Sequence, residues 1–152
     1  MIHTVLTRSP AETEKLGERW AAEAAPGWLI GLQGDLGAGK TQLVKGLARG
    51  LDIPARVHSP TFALVNIYTG GRLPLVHLDL YRLDTPKQIV AAGLEDYLRP
   101  AGVTVIEWAE KWLGEGGVSW VSSRGSSQKL RWVQIESLSE TERRIVYEDL
   151  GD

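Results

Sequence analysis

Hydrophobic and polar positions change period several times along the chain, and the changes mark its elements. Residues 3–7 (H-T-V-L-T) carry a short strand pattern suited to a sheet edge. Ser9 and Pro10 follow as a hydroxyl cap and a first-turn proline. Ala11, Lys15, Leu16, Arg19, Trp20 and Ala24 then continue at helical spacing until Pro26-Gly27. Trp28 to Leu32 is a solid apolar run ending in Gln33-Gly34, the signature of a buried strand. A glycine-rich stretch leads into a second helix through Gln42, Leu43, Val44, Leu47 and Ala48, closed by Gly50. Residues 61–68 alternate, Gly70-Gly71 turns the chain, and Leu73 to Leu80 returns as the second arm of a hairpin. Residues 86–98 predict one helix with Thr85 as cap and Pro86 in its first turn. Val103 to Glu107 is another buried strand. Residues 114–129 are rich in Gly and Ser and read as a mobile insertion. Leu130 to Glu136 and Arg144 to Leu150 alternate and pair as a terminal hairpin. No internal repeat is present. The order predicts one mixed sheet with helices packed on it, in a single domain spanning 1–152.

Composition narrows what such a domain can do. The 152 residues are 43% hydrophobic and 24% charged, which excludes a wholly disordered chain. Seventeen Lys and Arg against 19 Asp and Glu give a net charge of -2, so bulk charge does not drive nucleic-acid binding. A nucleic-acid role must be local or pass through a partner. The chain has no Cys, which removes disulfide partners, thiolate zinc sites, iron–sulfur clusters and Cys nucleophiles. His3, His58 and His77 show no metal-ligand spacing. The N-terminus lacks a basic segment followed by an apolar run, and no apolar stretch approaches the ~20 residues of a membrane span. The sequence therefore predicts a soluble, cytoplasmic protein with no membrane partner.

The chemistry starts at Gly34–Thr41, G-D-L-G-A-G-K-T, which fits the phosphate-loop pattern G-x-x-x-x-G-K-[ST] between a predicted strand and a predicted helix. Triphosphate oxygens need closely packed donors. Glycines let the backbone curl so that the amides of Asp35, Leu36, Gly37, Ala38 and Gly39 form an inward-facing nest. The helix beginning near Gly39 adds the amides of Lys40, Thr41 and Gln42 and its positive dipole end. Lys40 extends a point charge toward the β- and γ-phosphates, and Thr41 offers a hydroxyl to Mg²⁺. The fold expected is therefore α/β and P-loop NTPase-like, mainly parallel in the centre, with antiparallel hairpins and flanking helices.

Phosphate binding alone selects no reaction; hydrolysis or transfer needs carboxylates near the metal. Asp79, in H-L-D-L-Y-R, and Glu107, after V-T-V-I, both fall at the carboxyl ends of predicted strands. Ligands bind at that edge in open α/β sheets, so Lys40, Thr41, Asp79 and Glu107 are candidates to meet around one Mg²⁺, with Asp79, Lys40 and Glu107 in catalytic roles. Each acid also has a plain structural reading, as a cap or a surface charge. Ser59-Pro60-Thr61 is positioned for a nucleotide-sensing loop, or is simply a turn. Arg82 is a candidate phosphate or partner contact. If Glu107 faces the metal, strand alternation sends Trp108 to the opposite side, either to the core or to a nucleotide or partner. Trp20, Trp28 and Trp132 are assigned to the core. Exposure of Trp112 or Trp120 would suggest a docking surface.

G-D-L-G-A-G-K-T, S-P-T-F-A-L-V, H-L-D-L-Y-R-L, G-L-E-D-Y-L and E-W, in this order and rough spacing, resemble the TsaE family (also called YjeE). The resemblance runs from about Ser9 to Leu113 and more loosely over the terminal hairpin; the insertion at 114–129 departs from it. It implies a small bacterial P-loop ATPase that acts with TsaB and TsaD in making threonylcarbamoyladenosine on tRNA. In that scheme the protein binds ATP, docks on TsaB–TsaD, meets tRNA only through that complex, and resets it by Mg²⁺-dependent hydrolysis. By the same resemblance, Lys40 and the loop amides hold phosphates, and Thr41 and Glu107 hold Mg²⁺. Asp79 is a switch or catalytic acid, Thr61 belongs to a switch loop, Trp108 supports the site, and the segment around Thr13 touches the adenine edge. Two other functions fit a phosphate loop: a small-molecule kinase, and a non-catalytic nucleotide-dependent interaction module. The lack of an Asn-Lys-x-Asp motif disfavours guanine, and the lack of an evident water-positioning Gln or Arg finger predicts slow turnover without a partner.

Overall fold

The computed structural model describes residues 1–34, 39–54, 56–57, 64–98, 100–118, 120 and 129–151. Seven strands form one sheet: β1 (Ile2–Thr7), β2 (Trp28–Gly34), β3 (Val65–Tyr68), β4 (Leu75–Asp79), β5 (Val103–Glu107), β6 (Leu130–Ser137) and β7 (Arg143–Leu150). Their spatial order is β1-β7-β6-β2-β5-β4-β3. The four central strands, β6, β2, β5 and β4, are mutually parallel, whereas β3–β4, β6–β7 and β1–β7 are antiparallel. This is the mixed sheet that the pattern predicts, with β1 at one edge. Central parallel strands are covered on both faces, which is why Trp28–Leu32 is a near-continuous apolar run and Val103–Ile106 is apolar but for the buried Thr104.

Two cores lie on the two faces. On one, Ile30, Leu32, Val105 and Val133 pack with Leu16 and Trp20 of α1 (Pro10–Glu23) and with Leu43, Val44 and Leu47 of α2 (Lys40–Gly50). On the other, Leu29, Leu78, Ile106 and Trp132 pack with Ile89 of α3 (Pro86–Ala91), Leu98, and Leu113 of α4 (Glu110–Leu113). Ser9 caps α1 by accepting from the Glu12 N–H at 3.1 Å, and Pro10 sits in the first turn. α1 and α2 approach closely because their contact is glycine: a Cβ on Gly46 would lie 1.9 Å from the Glu14 carbonyl oxygen, and one on Gly17 would lie 2.4 Å from that of Leu43.

One expectation is corrected. The helix over 86–98 is two pieces, α3 and a 3₁₀ turn at Glu95–Leu98, because Gly93 takes φ +81° and ends the first. Trp112 and Trp120 are half-buried against the second core rather than exposed. Within 114–129, Glu115–Gly117 forms a 3₁₀ turn, and Gly117 packs so closely on Leu130 and Trp132 that a Cβ there would clash. Residues 119 and 121–128 of that stretch lie outside the described residues. Trp20, Trp28 and Trp132 are buried as expected.

Candidate nucleotide-binding site

β2 ends at Gly34, and α2 begins at Lys40. Between them Gly39 takes φ +96°, a left-handed conformation that L side chains rarely adopt. The remaining loop residues, Asp35, Leu36, Gly37 and Ala38, lie outside the described residues, as do His58, Ser59, Pro60 and Thr61. Lys40 is 4% exposed. Its Nζ donates to the Gly34 carbonyl at 2.7 Å and lies 3.9 Å from the centre of the Trp108 ring. A cation so far from water needs such substitutes for hydration. Thr41 and Gln42 follow in the first turn of α2, both half-buried.

The two acids meet at the same edge. Asp79 and Glu107 are register partners in the parallel β4–β5 ladder, so their side chains leave the same face of adjacent strand ends. That face is the one covered by α1 and α2, shared with Leu32, the β2 register partner of Glu107. Asp79 Oδ1 accepts from the Tyr81 N–H at 3.0 Å. Burial pushes its carboxyl above the usual range. The Tyr81 bond and the charge of Lys40 oppose the shift, and the neighbouring Glu107 adds to it. Glu107 is almost fully buried, and its Oε2 lies 2.5 Å from Nε2 of the fully buried His77.

Trp108 follows just past the end of β5, with φ +61°; its ring packs against the second core, on the face opposite Glu107 as alternation predicts, and also lies against Lys40 at the strand end. It also packs on Tyr81, with ring centres 5.4 Å apart. Lys111 ties the two together: its Nζ donates to the Tyr81 carbonyl at 2.8 Å and lies 5.3 Å from the Trp108 ring. Thr13 is buried within α1, where its hydroxyl shares a 2.8 Å hydrogen bond with that of Thr7. Arg82 is exposed on the turn after Asp79.

Sequence reasoning misses two neighbours. Glu110 is raised above the usual carboxyl range, chiefly by burial, with the Lys40 charge opposing. It lines a cavity of about 280 Å³ with Gln33, Gly34, Trp108 and Arg144. Arg143, the first residue of β7, lies against Gly39: its Nε is 3.4 Å from where a Gly39 Cβ would stand. Its guanidinium also donates to the carbonyls of Ser139, Glu140 and Glu142. Neither residue carries a spacing signal, because both arrive through tertiary contacts.

A Mg²⁺–nucleotide fits these donors. The Thr41 hydroxyl and the carboxylates of Asp79 and Glu107 are hard oxygen ligands. Among the described residues no three His, Asp or Glu side chains cluster as a self-contained metal site. Mg²⁺ bound with a nucleotide needs none, since phosphate oxygens and waters fill most of its shell.

A family model described as threonylcarbamoyl adenosine biosynthesis protein TsaE matches residues 7–145. The chain belongs to the TsaE family. A TsaE of Bacillus subtilis (strain 168) is 36% identical over 146 residues, covering 96% of this chain and 85% of the relative. One of Synechocystis (strain ATCC 27184 / PCC 6803 / Kazusa) is 48% identical over 106 residues, 65% of each chain. The crystal structure of B. subtilis YdiB superposes on this TsaE-family chain with a TM-score of 0.73 at 31% identity, over all of this chain and 87% of that one. The P-loop-like mixed sheet read from the sequence is thus also the fold of that relative. Among the described residues, no helix is long and apolar enough to cross a membrane.

Proposed function

We propose that this TsaE-family protein binds and hydrolyses ATP with Mg²⁺ in the cytoplasm, in service of tRNA threonylcarbamoyladenosine formation, docking on a TsaB–TsaD pair and resetting it for another turnover. The observation that carries the reading is the convergence of Lys40, Asp79 and Glu107 on one sheet edge at the start of α2. Lys40 and the first-turn amides of α2 bind the phosphates, where the helix dipole favours negative charge. Thr41 and Glu107 hold the cation, and Asp79 orients the attacking water or senses the γ-phosphate. Bound Mg²⁺ supplies charge neutralisation for the developing transition state. Trp108 shields Lys40 from water and keeps its charge aimed at the site. The near-neutral net charge suits a protein that meets tRNA only through a partner.

Incubation with labelled ATP tests this. Slow release of free phosphate by the pure protein, acceleration by TsaB–TsaD and loss of turnover in Glu107→Ala are expected. A phosphorylated metabolite would instead identify a kinase. Nucleotide binding without turnover, even with TsaB–TsaD present, would identify a non-catalytic module.

A further inference from the structure

His77 is fully buried on β4, two residues before Asp79, and belongs to no part of the mechanism above. Its Nε2 lies 2.5 Å from Glu107 Oε2, while its Nδ1 is buried without a hydrogen-bond partner among the described residues. These two facts select a tautomer. With the proton on Nε2, the ring donates to the carboxylate and leaves only an acceptor lone pair unmet at Nδ1. With the proton on Nδ1, a donor would be stranded in the core and two acceptors would face each other across 2.5 Å. The ring is fully buried on the face of β4 that carries Leu75, beside Val105, its register partner on β5.

We propose that His77 is a positioning residue for Glu107: its Nε2–H holds one carboxylate oxygen fixed so that the carboxylate is presented to the Mg²⁺ of the bound nucleotide in a single orientation. This rests on the reading of Glu107 as a metal ligand. A ligating carboxylate is ordinarily oriented by a hydrogen-bond partner outside the ligand set, and loss of such a partner typically costs about 10–100-fold in metal affinity. Burial matters here, since water cannot replace the lost donor at so enclosed an oxygen.

The test is the Mg²⁺ concentration that gives half-maximal binding of a non-hydrolysable ATP analogue, measured by calorimetry, with analogue affinity in EDTA and thermal stability recorded alongside. His77→Leu should raise the Mg²⁺ requirement about tenfold or more and leave affinity in EDTA unchanged. His77→Gln, whose amide N–H reaches as far as Nε2, should return it close to the unsubstituted value; the shorter His77→Asn should not. These two polar variants keep the comparison open if His77→Leu fails to fold. Glu107→Ala must itself raise the Mg²⁺ requirement; if it does not, the reading of Glu107 is wrong independently of His77. If Glu107→Ala raises it and His77→Leu and His77→Asn do not, the positioning role is overturned. Equal losses with Mg²⁺ and in EDTA, indistinguishable Gln and Asn variants, or failure of all three variants to fold would assign His77 to the core alone, and also overturn it.

Discussion

Gly39 and Lys40 show how much of the site depends on single backbone and side-chain choices. Gly39 holds φ +96° with Arg143 against it, so Gly39→Ala pays a left-handed penalty of about 1–2 kcal/mol. The Arg143 contact is loose enough for that side chain to adjust, so strain sets the size of the effect. Denaturant unfolding should show a loss of that order. Lys40→Ala should abolish measurable analogue binding in calorimetry; unchanged affinity would remove the phosphate-loop assignment. The identities of these residues were legible in the G-x-x-x-x-G-K-T spacing, because the pattern encodes a local backbone shape. The contact of Trp108 with Lys40 was not, since it forms past the end of the strand, where Trp108 takes φ +61°. The His77–Glu107 bond was also invisible. It joins residues 30 apart in sequence, and only the register of β4 on β5 brings them together.

At the scale of elements, the position of the start of α2 over the sheet depends on how closely α1 lies against α2. Gly46→Ala sets two magnitudes against each other. Alanine in a helix gains about 1 kcal/mol over glycine, whereas overpacking costs about 1–3 kcal/mol. The built Cβ would meet a backbone carbonyl at 1.9 Å, and backbone cannot yield as a side chain can. Overpacking should therefore win, and a lower midpoint in thermal unfolding is expected; a higher one would mean the helices separate freely. Strands β2, β5, β6 and β7 were legible nearly to the residue because solid or alternating apolar runs have unambiguous ends. The helix over 86–98 was not, because apolar spacing continues through Gly93 although the backbone does not.

At the scale of the whole molecule, the end of the sheet opposite the start of α2 is fastened by Arg131. It is buried among the rings of Trp20, Trp28 and Tyr147 and bonded to Asp149 and Glu23, so that β6, β7 and α1 are joined at one point. The hydrogen bond from Arg131 holds the Asp149 carboxyl below its usual range, against the opposing effect of burial. A carboxyl lowered on folding contributes stability above its unfolded pKa of about 3.9, and that contribution disappears as pH falls through the folded value. Thermal stability should therefore drop below about pH 4, and Asp149→Asn should lower Tm at pH 7 while flattening the acid limb. An unaltered pH profile would show that the cluster contributes little. The mixed sheet as a whole was legible from the order of periods, whereas this cluster joins residues 23, 131 and 149 and has no local signature. The central claim concerns the other end, where the first turn of α2 and two strand-end acids are held to bind one magnesium nucleotide. It is tested most directly by a crystal structure of the protein grown with Mg²⁺ and a non-hydrolysable ATP analogue. The account predicts phosphates against the first turn of α2 and Lys40 Nζ, with the cation between Thr41 and Glu107. An analogue bound elsewhere, or a Glu107 carboxylate turned away from the cation, would contradict it.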